Sequence, residues 1–129
     1  MINYKSINEL FENNRLIFLL GPLGAGKTTF VKNYINSLEM TNVTSPTFNI
    51  RNEYLVNNKL IVHYDLYRVK KLKEVNEMIM DDISNNNITF IEWANKFKKL
   101  NNFKHLSIEF KYTNNENERD ILINGEKWN

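Results

Sequence analysis

The run Leu16-Ile17-Phe18-Leu19-Leu20 is apolar throughout and shows no alternation. A strand with no polar face has to be covered on both sides, as strands are in the middle of a parallel sheet. The strand expected from Arg15 to Leu20 follows a short helix ending near Phe11, with Ile7, Leu10 and Phe11 on one face and Ser6 and Glu9 spaced as a capping box. Further on, Phe30, Val31, Tyr34, Ile35 and Leu38 recur at helical spacing while Lys32, Asn33 and Asn36 fall opposite, which predicts a helix packed along the sheet.

Alternation then replaces helical spacing. Phe48, Ile50 and Tyr54 alternate with Asn49, Arg51, Glu53 and Leu55, the pattern of a half-exposed strand, and Asn57-Asn58 supply a tight turn. The hairpin partner is Leu60 to Tyr64, ending at Asp65. Leu72, Val75, Met78 and Ile79 mark another helix, and Ile88 to Ile91 a strand ending at Glu92. Leu106, Ile108, Phe110 and Tyr112 alternate and, with Arg119 to Ile123 after a polar turn, close the chain as an antiparallel pair. There is no repeat, linker or composition break, so residues 1–129 read as one α/β domain with three layers and a mixed parallel and antiparallel central sheet.

Composition narrows the picture only slightly. A hydrophobic share of 42%, a charged share of 25% and a net charge of +2 are ordinary for a globular domain. The lack of a basic stripe argues against extensive direct contact with RNA. The absence of cysteine excludes disulfides, thiolate zinc sites and cysteine nucleophiles. No secretion signal or membrane-length apolar run is visible, so the expected location is the cytoplasm, without membrane contact. Asparagine pairs and triplets fall mostly between periodic segments, where turns account for them.

The chemistry concentrates at Gly21-Pro22-Leu23-Gly24-Ala25-Gly26-Lys27-Thr28. The fixed positions match the phosphate-binding P-loop, and the loop lies between a strand and a helix as that motif requires. Three of the four glycines of the chain sit here, which favours a phosphate loop over a chance turn. The expected nucleotide-binding segment is Gly21, Leu23, Gly24, Ala25, Gly26, Lys27, Thr28 and Thr29, with the Lys27 ammonium on the β- and γ-phosphates and the Thr28 hydroxyl on Mg²⁺. A P-loop also needs an acid to orient the metal and a group to position water. Asp65 and Glu92 both end strands, where such ligands belong, although an acid after a strand is more often a solvated turn carboxylate. Thr47, in Ser45-Pro46-Thr47, presents a hydroxyl as switch loops do, with a plain turn as the commoner alternative. Arg68 could neutralise phosphate charge or form a surface ion pair. Trp93 could stack on a base or fill the core, and His63 reads as a buried, hydrogen-bonded residue.

In order along the chain come Gly21 to Phe30, Ser45-Pro46-Thr47-Phe48, Glu53-Tyr54, His63-Tyr64-Asp65-Leu66-Tyr67-Arg68 and Ile91-Glu92-Trp93. Together they resemble the TsaE (YjeE) family, bacterial P-loop ATPases of tRNA threonylcarbamoyladenosine biosynthesis. The resemblance implies an ATPase that uses ATP and Mg²⁺, binds the TsaB and TsaD subunits and meets tRNA only through that complex. It implies Thr28 and Glu92 as metal ligands, Asp65 as the residue for water or partner contact, and Thr47 as a switch residue. Arg119 falls where the family places an arginine near the nucleotide. Four positions depart from the family pattern: Pro22 replaces an acid, Ala94 a proline or serine, Asn95 a glutamate and Ile79 a glycine.

Other P-loop readings fit less well. A metabolite kinase would carry an arginine-rich lid, and no arginine occurs between Leu72 and Asn102. A GTPase would continue Asn95-Lys96 with a guanine-reading acid, where this chain has Lys98. A non-catalytic nucleotide-dependent binding module remains as the alternative of a different class.

Overall fold

The computed structural model describes residues 4–38, 42–43 and 50–127. The first apolar run is β1 (Leu16–Leu20), and its burial on both faces follows from its place inside the sheet. The remaining strands are β2 (Asn42–Val43), β3 (Arg51–Val56), β4 (Lys59–Asp65), β5 (Ile88–Glu92), β6 (Leu106–Tyr112), β7 (Arg119–Ile123) and β8 (Glu126–Lys127). They hydrogen-bond in the order β2-β3-β4-β5-β1-β6-β7-β8. The four central strands, β4, β5, β1 and β6, are parallel, and the outer pairs on each side are antiparallel.

The helices α1 (Tyr4–Asn13) and α2 (Lys27–Ser37) cover one face, where Ile7, Phe11, Phe30, Val31 and Tyr34 pack on Ile17, Leu19, Ile61, Phe90 and Ile108. On the other face Ile79 of α3 (Asn76–Ser84), with Val75, Ala94 and Leu100, packs on Leu16, Phe18, Val62, Tyr64 and Ile91. Alternate residues of the same strands thus serve opposite cores, and the three-layer α/β expectation holds. The hairpin between β3 and β4 turns on Asn57 and Asn58 with φ of 49° and 65°, the positive values that a two-residue turn of matching twist requires. None of the described helices is long and apolar enough to cross a membrane.

The expected boundaries need several corrections. The first helix already begins at Tyr4, so Ser6 and Glu9 lie inside it and do not cap it. The helix expected from Leu72 is two pieces, a 3₁₀ turn Leu72–Glu74 followed by α3, because Val75 at φ −127° breaks the helical path and its N–H bonds back to the Leu72 carbonyl. The segment joining β5 to β6 carries two further 3₁₀ turns, Ala94–Lys96 and Lys98–Asn102, that periodicity did not reveal. Phe48, Ser45, Pro46 and Thr47 lie outside the described residues.

A buried polar network ties α3 to the β3–β4 hairpin. Asp82, 3% exposed, accepts two hydrogen bonds from Arg51 at 2.8 and 2.9 Å, one from Asn87 at 2.9 Å and one from the Tyr64 hydroxyl. Burial works against ionisation of Asp82, but the bonds from Arg51, Tyr64 and Asn87 hold its carboxyl below the ordinary 3.8. An acid with a depressed folded pKa contributes stability above its unfolded pKa and loses it as pH falls through the folded one. Asp82→Ala leaves the half-buried Arg51 with only Glu53 and the buried Tyr64 hydroxyl without its acceptor, so about 2 kcal/mol of stability should be lost at pH 7. The deficit should shrink as pH drops below 3.8, which denaturant melts at pH 7 and pH 3 will measure. An equal deficit at both pH values would contradict the ion-pair account.

Candidate functional site

The loop after β1 is shaped by its glycines. At Gly21, with φ +144°, an added Cβ would sit 2.7 Å from the Phe110 carbonyl, so β6 passes too close for any side chain. Pro22 accepts a hydrogen bond from the Ala25 N–H at 3.2 Å through its carbonyl and so closes the turn at its entrance. At Gly26 the φ of +105° swings the chain into α2, whose N-terminus receives no side-chain cap. The N–H groups of that first turn have no intrahelical acceptors, and together with the helix dipole they suit an anion.

Lys27 opens α2 and is 4% exposed. Its ammonium donates to the Gly21 carbonyl at 2.6 Å and lies 3.8 Å from the centroid of the Trp93 ring. Burial draws its pKa below the ordinary 10.5, with Glu92 and Asp65 opposing. One turn of backbone thus sets a cation beside two acids delivered by separate strands.

Those acids are neighbours because β4 and β5 pair in parallel with Asp65 opposite Glu92. Glu92 is 3% exposed, and its Oε2 accepts the Thr28 hydroxyl at 2.6 Å and lies 2.6 Å from His63 Nε2. Burial would raise the Glu92 pKa, yet His63, Thr28 and the Lys27 charge hold it below 4.5, so the carboxylate is ionised. Asp65 instead accepts the Tyr67 N–H at 3.0 Å and remains at the cleft. Trp93 follows Glu92 in the left-handed region, φ +65°, which turns its ring over Lys27. A φ of this kind is costly for an aromatic residue and is often found at functional sites.

These groups enclose a cleft of about 220 Å³, with Leu23, Gly24, Gly26, Lys27, Thr28 and Thr29 along one wall and Asp65, Tyr67, Glu92 and Trp93 along the other. A second cavity of about 380 Å³, lined by Leu23, Ile50, Asp65, Tyr67 and Arg68, shares three residues with it. Gly21 and Ala25 stand behind the loop and do not line the cleft. Arg119 is one residue removed: its guanidinium lies 4.4 Å from the Tyr112 ring centroid and bonds the Glu116 and Glu118 carbonyls, while the Tyr112 hydroxyl donates to the Leu23 carbonyl at 2.7 Å. Thr47 lies outside the described residues.

Tyr67, Tyr112 and the His63–Glu92 pair were not singled out by the sequence as parts of the site. Tyr67 lies in the segment His63 to Arg68, and only the 5.1 Å between its ring and that of Trp93 reveals its part. Tyr112 has only its place as the last residue of an alternating strand, which says nothing about the loop it touches.

Thr28 and Glu92 offer a hydroxyl and a carboxylate, the hard oxygen donors that Mg²⁺ prefers. Among the described residues no three His, Cys, Asp or Glu side chains converge as a metal site. The donor set therefore fits a Mg²⁺ ion that shares its ligands with substrate phosphates, not one caged by protein alone.

A family model described as "Threonylcarbamoyl adenosine biosynthesis protein TsaE" matches residues 3–121. The chain is 40% identical over 98 residues to the Rickettsia felis "tRNA threonylcarbamoyladenosine biosynthesis protein TsaE", a match spanning 74% of this chain and 57% of that one. The protein of the same name from Aquifex aeolicus is 34% identical over 122 residues, 92% of this chain and 84% of that one. Among solved structures, YdiB from Bacillus subtilus superimposes with a TM-score of 0.60 at 25% identity, covering 94% of this chain and 79% of that chain.

Proposed function

The chain belongs to the TsaE family, and from that premise we propose that it is a Mg²⁺-dependent ATPase acting with TsaB and TsaD in tRNA threonylcarbamoyladenosine formation. The observation that carries the reading is the convergence of Lys27, Thr28 and Glu92 at the mouth of a glycine loop that ends in an uncapped helix N-terminus. In this reading Gly21 to Thr29 wrap the phosphates of ATP and Lys27 exchanges its bond to the Gly21 carbonyl for phosphate oxygen. Thr28 and Glu92 hold the metal, with His63 fixing the orientation of the carboxylate. Mg²⁺, when bound, neutralises charge on the β- and γ-phosphates. Asp65, at the cleft, orients the attacking water or meets the partner subunits. Trp93 and Tyr67 flank the bound phosphates, and Arg119 acts through Tyr112 on the outer side of the loop. Contact with tRNA is made through the complex, the location is the cytoplasm, and no membrane is involved.

Calorimetric titration with ATP, with and without Mg²⁺, followed by phosphate release from the chain alone and then with TsaB and TsaD, tests the reading. Binding tightened by Mg²⁺ and turnover raised at least tenfold by the partners are expected. ATP bound yet never hydrolysed in either setting would instead identify the non-catalytic binding module.

A further inference from the structure

The turn from Leu66 to Val69 stands between Asp65 and the 3₁₀ segments of the opposite face. It is closed by the Val69 N–H on the Leu66 carbonyl at 3.0 Å and fixed to β5 by the Leu66 N–H on the Glu92 carbonyl at 3.1 Å. Leu66 and Val69 are buried, while Tyr67 is 46% exposed and turns toward the cleft. Beyond that one bond, such a turn leaves its carbonyls without partners in secondary structure, and they need donors.

One side chain reaches three of the four. Lys96 Nζ donates to the carbonyls of Leu66 at 3.0 Å, Tyr67 at 2.7 Å and Val69 at 2.7 Å. An ammonium has three protons and here each has its own acceptor, in bonds strengthened by the charge. Surface lysines seldom hold a single geometry, so this is a built cage around one nitrogen. Lys96 does not itself line the nucleotide cleft, although its backbone N–H also bonds the Trp93 carbonyl at 3.2 Å. The residue whose carbonyl it holds does: the Tyr67 ring packs 5.1 Å from Trp93, and the Trp93 ring covers the Lys27 ammonium at 3.8 Å. The Tyr67 N–H is held in turn by Asp65 at 3.0 Å. A single ammonium on the far side of the turn thus fixes the backbone on which one cleft wall is mounted.

We propose that Lys96 is a positioning residue, whose ammonium locks the Leu66–Val69 turn so that Tyr67 braces Trp93 against the phosphate loop. This rests on the cleft being the ATP site. The role belongs to the shape of the ammonium as well as to its charge, because a planar guanidinium cannot direct three protons from one nitrogen to three carbonyls.

The absence of cysteine from the chain allows a sharp test. Lys96→Met and Lys96→Cys are compared with wild type by amide exchange across residues 66–69 and by affinity for ATP with Mg²⁺, well below the melting temperature. Alkylation of the introduced thiol with 2-bromoethylamine rebuilds a lysine-length ammonium at that position alone, whereas iodoacetamide adds a neutral group. Both substitutions should speed exchange of the turn and weaken ATP binding about tenfold. Bromoethylamine should restore both properties and iodoacetamide neither. Wild-type ATP affinity in Lys96→Met, with or without faster exchange, overturns the positioning role, as does full function in Lys96→Arg. A wild-type chain that binds no ATP overturns the reading of the cleft, and the two failures are thereby distinguished.

Discussion

Lys27→Ala should weaken ATP binding by at least a hundredfold in calorimetry with a non-hydrolysable analogue. Among the described residues that line the cleft Lys27 is the only cation, and it faces Asp65 and Glu92 across it. Removing the ammonium does more than delete one bond to phosphate. It leaves two carboxylates confronting a polyanion in a site where Lys27 and Glu92 are buried, so repulsion adds to the lost attraction. A charge-assisted bond is worth about 1.5–3 kcal/mol, and a hundredfold corresponds to about 2.7 kcal/mol. Lys27→Arg should recover little, since the guanidinium has to fit between the Gly21 carbonyl and the Trp93 ring where a small ammonium now lies. Affinity within threefold of wild type in Lys27→Ala would count against the whole reading of the cleft.

The second large effect is expected at Glu92. Glu92→Gln keeps the size of the side chain and an oxygen for the Thr28 hydroxyl, yet removes the charge that a hard cation requires. The variant should still bind ATP, but Mg²⁺ should no longer tighten that binding, and turnover with the partner subunits should fall about a hundredfold, as it does when an electrostatic contact to the reacting phosphate is lost. Asp65→Asn, across the β4–β5 pair, should retain the Mg²⁺ effect on affinity and lose turnover alone. The assignment follows from contacts, because Glu92 meets Thr28 whereas Asp65 meets the Tyr67 N–H. The opposite order of Mg²⁺ effects would mean that the two acids had exchanged roles.

Much of the frame was legible from residues close together in the chain. The phosphate loop is a contiguous motif, and the run from Leu16 to Leu20 announced a strand buried on both faces because each of its residues is apolar. The Asn57-Asn58 turn could be read because the two residues most tolerant of positive φ after glycine stand where a two-residue hairpin needs them. Less legible were elements that periodicity cannot encode. The 3₁₀ turns between β5 and β6 are too short to display a face, and the break at Val75 depends on how the chain meets the sheet.

By itself, then, the sequence determined an α/β fold with a glycine loop between strand and helix, and a resemblance to the family that the chain belongs to. The residues themselves left Asp65 and Glu92 open and the family resemblance favoured Glu92, but only the tertiary structure shows the contact, with Glu92 on the Thr28 hydroxyl. Asp65 and Glu92 both end strands, and nothing in either segment says that the first turn of α2 meets one and not the other. Parallel register and helix packing set that choice, and these depend on contacts between segments many residues apart. The same holds for Arg119, which is set back behind Tyr112, and for Lys96, whose three carbonyl acceptors lie 27 to 30 residues away in the chain. Local sequence carries hydrophobic pattern and turn chemistry, whereas the meeting of distant side chains is written in the pairing of strands.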